Sequence, residues 1–181
     1  KYIIFLVSAD QLYKVALGMY DLSLALMIAQ QSPRDPREYV PFLRDLRSKE
    51  PLEYQRFCID DHLGHHAKAL AWLARSGDES RMESAMAYMV QHKLYREGLK
   101  AFANDPERLR EAYARFGDYL SSHQRAAEAA TAYELAGRLI DAMNAYKEAD
   151  QWQQALTLAQ KTRVAGPELT HFMRSLAEQL E

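Results

Sequence analysis

The sequence predicts an all-α protein, an α-solenoid of about six antiparallel helix pairs, and three features carry that expectation. Breakers are scarce: 7 glycines and 6 prolines in 181 residues, with no Asn-Gly or Asp-Gly anywhere. Alanine is plentiful and no alternating strand pattern occurs, so composition favours helix throughout. A stripe of an apolar residue, a small one three on, an apolar one next to it and another three later, at i, i+3, i+4 and i+7, recurs along the chain, one face of a helix.

The elements follow in order. An apolar-periodic run over 2–17 reads as the first helix. Leu22-Ala25-Leu26-Ala29 is the first stripe. Pro33 pushes Ser32 out of the helical region and ends that helix near Gln31. Asp35-Pro36-Arg37-Glu38 then reads as a helix start: Asp35 as N-cap, Pro36 in the first helical position, Glu38 reaching back to close a capping box. This proline-rich stretch is read as a hairpin corner. A ligand for an aromatic groove needs a longer extended run, and Tyr39, Phe42, Leu43 and Leu46 fall in core-facing register. Pro41 lacks the N–H a helix needs there, so the helix over 37–48 is expected to kink or restart.

Further amphipathic runs lie at 51–63, 80–92 and 106–121. Between them fall the stripes His66-Ala69-Leu70-Leu73 and Tyr95-Gly98-Leu99-Phe102. Ala126-Ala129-Ala130-Tyr133, Leu139-Ala142-Met143-Tyr146 and Trp152-Ala155-Leu156-Ala159 follow, these three spaced thirteen residues apart. Thirteen residues hold a helix of about ten, roughly 15 Å long, plus a tight turn. Gly137, as a C-cap, and Asp150 fall where those turns belong. A last run covers 166–181, for about twelve helices in all. The small residue in each stripe lets a neighbouring helix approach closely while large residues fill the groove. The architecture is tetratricopeptide-like, but the stripes fall at irregular intervals, unlike a fixed repeat of about 34 residues. One segment over 1–181 is expected, with a subdivision near 104–106.

Bulk properties narrow the function. The net charge of −2 supplies no global field for nucleic acid or anionic membrane. The apolar run Tyr2–Val7 is far too short to span a bilayer. The single cysteine, Cys58, excludes an internal disulfide and a cysteine-rich zinc module. Cys58 lies on an apolar face and reads as a core residue. The chain starts at Lys1 and ends inside an apolar run, as expected of a piece of a longer protein.

Chemistry-bearing groups are few. In Asp60-Asp61-His62-Leu63-Gly64-His65-His66, His62 and His66 are four apart, a spacing that on one helix could hold a metal. Gly64 at a helix boundary spoils it, and a structural role is expected. His92, His123 and His171 sit near predicted helix ends. No phosphate loop, serine elbow or zinc-protease motif occurs. Glu128 and Glu134 are assigned to solvated faces. Catalytic, cofactor-binding and metal residues are therefore expected to be absent. Arg34, Arg37, Arg44, Arg47 and Lys49 form the densest basic run, interleaved with Asp35, Glu38, Asp45 and Glu50. The pattern reads as a solvated helix surface, with a phosphate-contacting strip as the alternative.

The stretches "KYIIFLV", "LYKVALGMYDLSLALMIAQQSPRDPREYVPFLRDLR", "YQRFCIDDHLGHHAKALAWL" and "ELAGRLIDAMNAYKEADQWQQALTLAQ" resemble the helical region of the largest, scaffold subunit of the Elongator complex, the IKAP family. The proline spacing between Tyr20 and Leu46 is the most specific part. The C-terminal helices also resemble coat and intraflagellar-transport solenoids, a second scaffold reading. The first resemblance implies a non-catalytic scaffold in an assembly that modifies wobble uridines of transfer RNA. Its implied partners are the other subunits, the catalytic one included, and a second copy bound through parts of the chain outside this segment. It further implies only indirect contact with transfer RNA, no membrane partner, no cofactor, and a cytoplasmic location with the nucleus as a second compartment.

Overall fold

The computed structural model describes residues 8–161 and Arg174. Among the described residues every regular element is a helix. In order they are α1 (Ala9–Gly18), α2 (Leu22–Gln30), α3 (Pro36–Ser48), α4 (Leu52–His62), α5 (His66–Arg75), α6 (Glu79–Gln91), α7 (Tyr95–Ala101), α8 (Pro106–Ser122), α9 (Ala126–Ala136), α10 (Leu139–Glu148) and α11 (Trp152–Lys161). The predicted helix over 166–181, Arg174 apart, His171 and the Tyr2–Val7 run lie outside the described residues. Two compact units divide between Ala101 and Phe102.

One corner is built six times. Tyr20, Gly64, Lys93, Gln124, Gly137 and Asp150 all take positive φ, between 56° and 77°. Each is followed by a residue whose N–H reaches back across the corner: Asp21 to Ala16 O (3.2 Å), His65 to Asp60 O (2.8 Å), Leu94 to Met89 O (2.9 Å). Arg125 to Leu120 O (3.0 Å), Arg138 to Tyr133 O (2.9 Å) and Gln151 to Tyr146 O (2.9 Å) complete the set. This is the Schellman arrangement, which satisfies carbonyls a helix end leaves open. The next helix begins two residues after each left-handed residue, as α2, α5, α7, α9, α10 and α11. These are the six helices that carry the stripe. Connections this short force consecutive helices into antiparallel hairpins.

Only two of the six left-handed residues are glycine. An L-residue with a Cβ costs about 1–2 kcal/mol in that region. Gln124 is exposed, so Gln124→Gly is expected to stabilise the chain by about 1 kcal/mol, whereas Gly137→Ala should destabilise it by a similar amount. Denaturant titration checks both; a loss of stability in Gln124→Gly would contradict the corner's role.

The first unit builds part of its core from Tyr13, Ala16 and Leu17 of α1, Ala25 and Ala29 of α2, Tyr39, Leu43 and Leu46 of α3, and Ile59 of α4. Asp35 caps α3 by accepting from Arg37 N at 2.8 Å, with Pro36 in the first position. Glu38 is exposed and makes no reciprocal bond to Asp35, so the capping box stays half closed. α3 runs through Pro41 without a restart. Pro41 and Arg37, whose carbonyl it leaves unbonded, are both exposed.

The second unit packs Leu120 of α8, Ala129, Ala130, Ala132 and Tyr133 of α9, Ala142, Met143 and Tyr146 of α10, and Ala155 and Leu158 of α11. Ala129, Ala142 and Ala155 are the small members of the stripes. A glycine makes the closest approach: a Cβ on Gly117 would lie 2.6 Å from Tyr133 Cε1. The last stripe residue is used twice in the same way. Tyr133 Oη donates to Asp118 at 2.9 Å and Tyr146 Oη donates to Glu134 at 3.1 Å, each to a carboxylate on the preceding helix. Glu134, assigned from sequence to a solvated face, is thus half-buried and bonded, while Glu128 is exposed and paired with Arg125. Periodicity placed Glu134 off the apolar stripe correctly, but not the tyrosine arriving from the next helix.

Burial, and then the Asp118 carboxylate, push the Tyr133 phenol from the usual 10 to about 12. A raised phenol favours its neutral form in the fold, so its contribution is complete below pH about 10 and is lost as pH climbs to about 12. The melting temperature should therefore drop across that window. Tyr133→Phe should flatten the drop, and an unchanged profile would show that the phenol is not coupled to folding.

Candidate functional site

Ionisable groups gather most densely at the α4–α5 corner of the first unit. The segment Asp60–His66 spans the last turn of α4, the left-handed Gly64 and the first residue of α5. Gly64 separates the two histidines that sequence spacing might have paired. His62 packs on the Phe42 ring, with centroids 4.5 Å apart. His66 turns to α6, where its ring stacks on His92 at 4.0 Å.

Asp60 is 1% exposed. A buried carboxylate needs partners, and this one accepts from Tyr20 Oη at 2.7 Å and lies 3.3 Å from His65 Nδ1. Trp72 Nε1 donates to the same Tyr20 oxygen at 3.0 Å. The Arg56 guanidinium lies 4.6 Å from the Trp72 ring centre and 5.1 Å from that of Tyr20. Burial, then the bond to Asp60, raises the Tyr20 phenol. The network ties the α1–α2 corner to α4 and α5, and helps hold a tyrosine in a left-handed conformation that its Cβ disfavours.

Beside it stands a second group. Tyr88 Oη donates to Asp61 Oδ1 at 2.6 Å and lies 2.7 Å from His66 Nδ1. His66 Nδ1 and Asp61 Oδ1 are 3.6 Å apart. Because the phenol gives its one proton to Asp61, the bond with His66 runs from Nδ1–H to the phenol oxygen. Burial first, then the Asp61 bond, raises the Tyr88 phenol well above its ordinary range. The His92 ring lies 4.3 Å from that of Tyr88. Next to Tyr88 opens a cleft of about 500 Å³ lined also by Tyr54, Phe57, Asp78 and Arg81.

Nothing here is poised for nucleophilic catalysis. Cys58 is half-buried and burial raises its thiol, opposite to an activated thiolate. The Ser122 hydroxyl lies 3.1 Å from His123 Nδ1, but it donates to Tyr119 O at 2.7 Å and the pair is exposed at a helix end.

The basic run divides. Arg34 pairs with Asp10 at 2.9 Å and lies over the Tyr13 ring, 4.2 Å from its centre. Lys49 pairs with Asp45 at 2.9 Å. Arg37, Arg44 and Arg47 are exposed on α3, with no ion pair to another described residue. The charge pattern alone could not separate the two paired cations from the three solvated ones. Sequence reading placed His92 near a helix end but did not join it to His66 and Asp61, which lie 26 and 31 residues away.

Short helical hairpins stacked on small-residue stripes, with tyrosine–carboxylate bonds tying one helix to the next, define an α-solenoid of the tetratricopeptide-like class, whose members work through surface. Residues 54–181 match the family model described as ELP1 TPR domain, and residues 1–46 the one described as ELP1 alpha-solenoid. The chain is 42% identical over 159 residues to Elongator complex protein 1 of Saccharomyces cerevisiae, 87% of this chain and 12% of the relative. It is 38% identical over 161 residues to that of Drosophila melanogaster, 89% of this chain and 13% of the relative. With the Schizosaccharomyces pombe protein it shares 40% over 158 residues, 87% of this chain and 12% of the relative. The chain belongs to the Elongator complex protein 1 family and spans about an eighth of the length of these relatives. The family resemblance read from the sequence is thereby established. Among the described residues no helix is long and apolar enough to cross a membrane.

Proposed function

We propose that this chain is a non-catalytic scaffold segment of an Elongator-type complex that modifies wobble uridines of transfer RNA, and that it holds other subunits in place. The observation that carries the reading is how the polar groups are used. The tyrosine–carboxylate bonds join one helix to another, and the Ser122 hydroxyl beside His123 donates to a backbone carbonyl rather than to the imidazole. What remains free to act is surface, above all the exposed face of α3.

The test uses the intact family protein carrying Arg37→Glu, Arg44→Glu and Arg47→Glu together. Capture of the catalytic subunit and the rest of the assembly is the expected property of the unsubstituted protein, and its loss on charge reversal assigns α3 to subunit contact. Failure of the unsubstituted protein to assemble overturns the scaffold reading. The three unpaired guanidinium groups favour one alternative, direct contact with RNA phosphates. Transfer-RNA binding that weakens with rising salt, and is lost in the triple variant while assembly survives, moves α3 to that role.

A further inference from the structure

We propose that Asp61, His66 and His92 form a binding site for a divalent transition-metal ion of the zinc class. The donor atoms come from three helices: the last turn of α4, the first residue of α5 and the residue that follows α6. One ligand atom from each lies within 4.8 Å of the other two. Around a tetrahedral ion with bonds of about 2.0–2.1 Å, ligand atoms stand about 3.4 Å apart. His66 Nδ1 and Asp61 Oδ1, at 3.6 Å, already have that separation. A turn of the half-buried His92 ring brings in the third donor.

The backbone holds these donors in place. Gly64 and its 2.8 Å corner bond, His65 N to Asp60 O, set the step from Asp61 to His66. Leu94 N, bonded to Met89 O at 2.9 Å, sets the corner that carries His92. The Tyr88 hydroxyl, 2.6 Å from Asp61 Oδ1 and 2.7 Å from His66 Nδ1, marks the point on which the two ligands converge, and it moves aside as the ion takes that place. On binding, the ion takes the place of the His66 Nδ1 proton, and that proton moves to Nε2, so the ligand is the neutral imidazole.

The donor set names the class of ion. Two imidazoles and one carboxylate suit zinc, cobalt, nickel or copper, whereas magnesium and calcium require an all-oxygen shell. Three protein ligands leave a fourth position for water. The bound ion would staple α4, α5 and α6, so its role here is to stiffen the first unit.

The experiment titrates zinc into the purified, chelator-treated chain at micromolar free metal and follows the histidine ring nitrogens by NMR. One zinc per chain should bind, shifting the ring signals of His66 and His92 and leaving those of His62 and His123 in place. His66→Gln and His92→Gln should each weaken binding by about tenfold or more, and His62→Gln should not. If either variant fails to fold by circular dichroism, the ring shifts in the unsubstituted chain decide alone. Absence of stoichiometric binding, or binding that leaves the His66 and His92 signals unmoved, overturns the site.

Discussion

Leu120→Ala is expected to destabilise the second unit by about 2–5 kcal/mol, the range for deleting most of a buried leucine side chain. Leu120 is 1% exposed, in a core otherwise rich in alanine: Ala129, Ala130 and Ala132 of α9 with Ala142 and Ala145 of α10. Alanine methyls cannot swing into a void, so the cavity stays open and the loss should fall toward the upper part of the range. The Leu120 carbonyl still accepts from Arg125 N, so the corner survives and the effect isolates packing. Leu135→Ala, at a side chain 58% exposed, is the control and should change stability by less than about 0.5 kcal/mol. Urea unfolding of both variants measures the difference. Equal effects at the two positions would mean that the core is not where the structure puts it.

Gly117→Val is expected to cost about 3 kcal/mol, the upper end of ordinary overpacking. The added Cβ alone would stand 2.6 Å from Tyr133 Cε1 and 2.7 Å from Cδ1, well inside contact distance. Tyr133 cannot turn aside freely, because its hydroxyl is held by Asp118 and its ring by the Arg138 guanidinium 4.8 Å above it. Moving the ring therefore breaks an inter-helix hydrogen bond as well as the packing. The gain in helix propensity from replacing glycine is only a few tenths of a kcal/mol for valine and does not offset this. In the double variant with Tyr133→Ala the clash is gone, so the Gly117→Val penalty should largely vanish there. A penalty that persists in that background would place its origin elsewhere.

The helices were legible because their signals are local. The stripes beginning at Leu22, His66, Tyr95, Ala126, Leu139 and Trp152 coincide with the first residues of α2, α5, α7, α9, α10 and α11. Asp35 and Pro36 mark the start of α3 by their own chemistry. The corners were legible only in part. A search for glycine and turn residues finds Gly137 and Asp150, but Tyr20, Lys93 and Gln124 carry no turn signature, and their left-handed conformation follows from the helices on either side.

The site divides along the same line. The sequence by itself determined an all-helical chain of hairpins with small residues where helices meet, because periodicity and caps act within one or two turns. It also showed the absence of the familiar catalytic motifs. Only the tertiary structure decided that Tyr88 bridges Asp61 and His66, that His92 joins them, and that Asp60 lies buried beneath Tyr20. Those groups come from separate helices, and which side chains meet depends on how one helix is rotated against another. That rotation is set by packing distributed over a whole interface, and no short stretch of residues records it.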